Sequence, residues 1–83
     1  MSALHIAFFE PADVTEDERR ELTGIAKSAT SLEMACSMVR SRGIGCWAYQ
    51  GGKHVAVHRT KPSGMPEQQR IAIITEQNGS EGA

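Results

Sequence analysis

The alternation of helix-like and strand-like apolar patterns along this 83-residue chain predicts an α+β domain. Its expected order is β-α-α-β-β-β, a two-layer fold with a mainly antiparallel sheet and the helices packed on one face. Residues 44–60 are two alternating runs around Gly51-Gly52, a hairpin signature. Two consecutive segments open with capping patterns and then carry apolar stripes at helical spacing. Strand-like runs stand before the helices and after the hairpin.

Residues 3–9 alternate around Leu4, Ile6 and Phe8 and read as the first strand, which Glu10-Pro11-Ala12-Asp13 ends because proline cannot donate to a ladder. Thr15-Glu16-Asp17-Glu18 is a capping box with its acids at the positive end of the helix dipole. The stripe that follows is Leu22, Ile25, Ala26 and Ala29. Thr30-Ser31-Leu32-Glu33 repeats the capping pattern and opens a second helix lined by Leu32, Ala35, Cys36 and Val39, with Met34 and Met38 beside them. Arg40 and Arg42 suit its negative end, and Gly43 stands where a left-handed cap is expected. One continuous helix over 15–42 would run about 42 Å, past strands of ~20–25 Å, so a break at 28–31 is expected.

With Gly51-Gly52 as a type I′ turn, Gln50 faces Lys53, Tyr49 faces His54, Ala48 faces Val55 and Trp47 faces Ala56. Alternation then puts Ile44, Cys46, Ala48, Val55 and Val57 toward the core. Trp47, Tyr49, His54, Ala56 and His58 take the other face, and His5 and Phe9 join it if the first strand lies at the sheet edge. Residues 61–67 form a loop, 69–75 the last strand, and 76–83 a polar tail expected to be disordered. Residues 1–75 are therefore read as a single domain.

Charge is unevenly placed. No Asp or Glu occurs from Met34 to Pro66, where Arg40, Arg42, Lys53, Arg59 and Lys61 stand. The acids Glu10, Asp13, Glu16, Asp17, Glu18, Glu21 and Glu33 precede them, so a dipolar molecule with an acidic helix patch is expected. Cys36 and Cys46 are the only cysteines, which points to a reducing, cytoplasmic setting rather than a disulfide framework. The N-terminus has no basic leader and the chain has no long apolar run, so neither a signal peptide nor a membrane span is expected.

His54 and His58 share a face but stand roughly 13 Å apart along a strand, too far to ligate one metal or share one phosphate. Neither cysteine sits in a paired motif, and no glycine pattern fits a phosphate loop. No catalytic residue, metal site or cofactor is therefore expected. Trp47 and Tyr49 beside His54 and His58, bordered by Lys53, Arg59 and Lys61, instead form a candidate binding surface. Aromatic and basic side chains of this kind serve both interface hot spots and base stacking. The expectation is a small non-enzymatic regulator or inhibitor, of the accessory type bacteria and phages carry, acting on a protein or nucleoprotein partner such as nucleic-acid-processing machinery. A direct RNA- or DNA-binding domain is the alternative, a small ribonuclease-like toxin the third reading, and a homodimer is compatible with each.

Overall fold

The computed structural model describes residues 3–9 and 13–77, and in it every predicted element forms in the predicted order. The elements are β1 (Ala3–Phe8), α1 (Glu16–Ser28), α2 (Leu32–Ser41), β2 (Cys46–Gly51), β3 (His54–Thr60) and β4 (Pro66–Gln77). The strands make one antiparallel sheet in the order β1-β4-β3-β2, so β1 and β2 are its edges. Both helices pack on the same face, α1 over β1 and α2 over β2.

Thr15 starts α1 by accepting from the Glu18 N–H at 3.1 Å, while the Thr15 N–H donates to Glu18 Oε1 at 3.0 Å; the predicted capping box is complete. The break falls where expected, with α1 ending at Ser28. The second cap is one residue later than the sequence pattern indicates. Ser31, not Thr30, accepts from the Met34 N–H at 3.1 Å, so Glu33 falls short of the third helical position and closes no capping box. Gly43, at φ +69°, supplies the left-handed residue after Arg42.

All eight predicted stripe residues of the two helices are buried. They meet Leu4, Cys46, Ala48, Val55, Val57, Ala72 and Ile74 from the sheet, with Ile6, Phe8, Met38 and Ile44 packed around the margin. This single apolar layer holds the sheet and helices together.

Two features depart from the expectation. The hairpin turn is Gly52-Lys53, with Gly51 paired to His54, and Gly52 does not take the positive φ of a type I′ turn. The partners become Gln50 with Val55, Tyr49 with Ala56, Ala48 with Val57 and Trp47 with His58. Sliding the turn by one residue moves the partner by two, so every side chain keeps its face. Gly51 instead serves close approach: a Cβ there would lie 2.9 Å from Cε1 of the His54 ring.

The last strand is also longer than residues 69–75, beginning at Pro66 and ending at Gln77. Its register against β3 shifts between Val57 and His58 and again before Thr60. The first shift leaves Ile71 as an extra residue, and Ile71 and Ala72 are consecutive yet both buried, which a bulge permits and plain alternation does not. Glu76 and Gln77 thus belong to the sheet. The expected turn at Glu10-Pro11-Ala12 and the tail over 78–83 lie outside the described residues. No helix among the described residues is long and apolar enough to cross a membrane.

Candidate binding face

The face of the sheet turned away from the helices is built from three cross-strand rungs. One runs Gly51, His54, Thr75 and His5; the next Tyr49, Ala56, Ile73 and Ala7; the third Trp47, His58 and Arg70. Among the described residues no helix covers these rungs, and none of the rung residues is an acid. Ala56 is buried here because it is the small residue between Tyr49 and Ile73.

Tyr49 is 44% exposed and meets the His58 ring edge-on, with centroids 5.4 Å apart and planes at 90°. The His58 Nδ1 lies 2.7 Å from the Glu67 carbonyl oxygen. A carbonyl only accepts, so Nδ1 carries the proton of this bond. The histidine is thereby fixed in orientation. Phe9, 40% exposed, lies under the Arg70 guanidinium at 5.9 Å, extending the aromatic and cationic character toward β1.

Trp47 leaves the same strand but is held differently. Its half-buried ring lies 4.5 Å from the Arg40 guanidinium, which reaches it from α2. Arg40 Nε also donates to the Ala48 carbonyl at 2.9 Å. The indole thus sits at the β2 edge, beside a shallow groove lined by Cys36, Ser37, Arg40 and Gln50. Trp47 and Tyr49 therefore engage different neighbours, and neither belongs to the dry core.

Of the seven residues proposed from sequence, Tyr49, His54 and His58 lie together on the open face, and Trp47 lies at its edge. Lys53 is exposed in the hairpin turn and Lys61 in the loop after β3. Arg59 is on the other side of the sheet. Its Nε and Nη2 donate to the two Glu18 oxygens at 3.0 and 2.9 Å, and Nη2 also donates to the Asp13 carbonyl at 2.8 Å. Arg59 thus ties α1 to β3 and is withdrawn from the proposed surface, because residue 59 shares the parity of Val55 and Val57.

The same contacts revise the expected charge separation. Arg59 pairs with Glu18, Arg42 with Glu21 at 3.2 Å, and Arg20 with Asp17, so the acidic patch on α1 is largely neutralised within the chain. Two further cations border the open sheet, neither among the seven residues proposed from sequence: Arg70 on the face itself and Arg40 at the β2 edge. Arg70 lies beyond the bulge that breaks the alternation of β4, and Arg40 acts from a helix.

Burial pushes the Cys46 thiol up to about 11, with the Glu18 charge adding to the shift and Arg59 opposing it. At pH 8 this thiol is expected to alkylate on the order of a hundredfold slower than a free cysteine of pKa ~8.5. Peptide mapping after timed iodoacetamide treatment checks this. Labelling of Cys46 at the free-cysteine rate would contradict the buried placement.

Among the described residues no three His, Cys, Asp or Glu side chains converge as metal ligands. Comparison with family models, curated proteins and solved structures finds no match.

Proposed function

We propose that this chain is a small non-enzymatic binding protein that regulates or inhibits a macromolecular partner through the uncovered sheet face. One observation carries the reading. Both helices lie on one side of the sheet, no helix among the described residues covers the other, and that side holds an oriented Tyr49–His58 pair with Phe9 beneath Arg70. Tyr and Arg side chains presented on an open surface are among the residues that dominate protein interfaces. The partner is a protein or nucleoprotein, such as nucleic-acid-processing machinery, and the two free cysteines suit the reducing cytoplasm.

A second reading, direct binding of single-stranded nucleic acid, is supported by the absence of acids from the three rungs. Aromatic rings on an acid-free sheet suit stacked bases beside phosphates. The two readings part under one experiment: affinity capture from the native host, with and without nuclease, using the natural chain, Tyr49→Ala, Arg70→Ala and Lys27→Ala. A protein partner should survive nuclease, weaken at least ~10-fold in Tyr49→Ala and Arg70→Ala, about 1.4 kcal/mol or more, and persist in Lys27→Ala. Release by nuclease, together with affinity that falls steeply with salt, selects the nucleic-acid reading. Capture unaffected by either open-face variant rejects both.

A further inference from the structure

The two edges of the sheet are treated differently. On β2, the Ala48 carbonyl accepts from Arg40 Nε at 2.9 Å and from the Cys36 thiol at 3.5 Å, so side chains of α2 occupy that edge. On β1, no such guard is present among the described residues. The Phe9 N–H donates to the Ile71 carbonyl at 2.9 Å, in register with the β1–β4 ladder. Main-chain groups alternate along a strand, so those of His5 and Ala7 also face β4, while those of Leu4, Ile6 and Phe8 face outward. Residues 3–9 contain no proline and no formally charged side chain, the devices that commonly blunt an edge.

We propose that this edge pairs with itself: β1 of one copy adds antiparallel to β1 of a second, centred on Ile6. In this register Ile6 meets Ile6 of the second copy and Leu4 meets Phe8, so each outward N–H and C=O of the three residues finds a partner. Ile6 and Phe8 are only half-buried in one chain, and the pairing completes their burial on the helix side. On the open side the larger His5 faces the small Ala7. The neutral segment sets no like charges against each other across the dyad. Two four-stranded sheets become one of eight strands, with both Tyr49–His58 pairs on the same side.

Amide exchange tests the register directly, on the full chain at dilute and at near-millimolar concentration. The His5 and Ala7 amides are expected to be protected at both concentrations, because β4 holds them. Those of Leu4, Ile6 and Phe8 should become protected only at the higher concentration, at least ~10-fold more slowly exchanging, as sedimentation reports twice the mass of one chain. Ile6→Pro removes the central outward N–H while leaving the β4 ladder intact, and should stay monomeric. If that variant does not fold, the exchange pattern of the natural chain decides alone. A single-chain mass at every concentration overturns the proposal, as does a dimer whose concentration-dependent protection falls on other residues.

Discussion

Leu22→Ala is expected to lower the melting temperature by roughly 12–25 °C, the largest effect of any single truncation considered for this chain. Leu22 has no exposed surface and, with Ile25 and Ile74, is among the largest fully buried side chains of the described residues, on the inward stripe of α1. Its truncation removes buried methyl groups and leaves a cavity that backbone on both sides cannot fill, costing about 3 kcal/mol. A chain of this length holds only about 4–12 kcal/mol in total. For domains of this size each 1 kcal/mol moves the midpoint by about 4–8 °C. Thermal unfolding by circular dichroism measures it. Tyr49→Ala is the informative contrast, since its ring is 44% exposed on the uncovered face. That variant should melt within a few degrees of the natural chain while losing partner capture. A large drop for Tyr49→Ala and a small one for Leu22→Ala would exchange the roles assigned to the two layers.

The layers themselves were legible before any coordinates, because burial obeys simple periods. Leu22, Ile25, Ala26 and Ala29 recur at helical spacing, and Cys46, Ala48, Val55 and Val57 recur at strand spacing; all are buried. The hairpin turn lies one residue beyond the Gly51-Gly52 signature, and both turn positions leave the same side chains facing inward. What stayed hidden depends on contacts remote in sequence or on broken alternation. The inward face of Arg59 follows from its parity with Val55 and Val57, but its partner Glu18 stands 41 positions away and nothing local points to it. The face of Arg70 is not legible from alternation, because the extra residue Ile71 resets the phase of β4 and counting back from Ile74 gives the wrong face. The guard on β2 likewise needs α2 laid against the strand before Arg40 and Ala48 become neighbours.

Acid should reveal how much the Glu18–Arg59 contact contributes. The Glu18 carboxyl is held below its ordinary value of 4.5 chiefly by hydrogen bonds from Arg59, against the opposing effect of burial and with help from the Thr15 N–H. A group with a depressed folded pKa contributes stability that is fully present above its unfolded value. That contribution is lost as pH falls through the folded value, where the carboxylate takes up a proton in the native state too. Arg59 is pushed upward, first by the hydrogen bond to Glu18, and keeps its charge throughout this range. The pair is bidentate, with side chains 31% and 14% exposed, which places it between solvated surface pairs and fully buried ones. Glu18→Gln keeps an oxygen for the Thr15 N–H but offers Arg59 Nε no second acceptor. It is expected to cost about 2 kcal/mol at pH 7. Arg59→Ala should cost at least as much, because it strands a mostly buried carboxylate and releases the Asp13 carbonyl as well. The measurement is denaturant unfolding of the natural chain and Glu18→Gln from pH 7 to pH 2. The gap between them should stay constant down to about pH 4.5 and then close. A gap that persists unchanged into strong acid would mean that Glu18 acts through its shape and its helix cap rather than its charge, and the tie between α1 and β3 would have to be sought elsewhere.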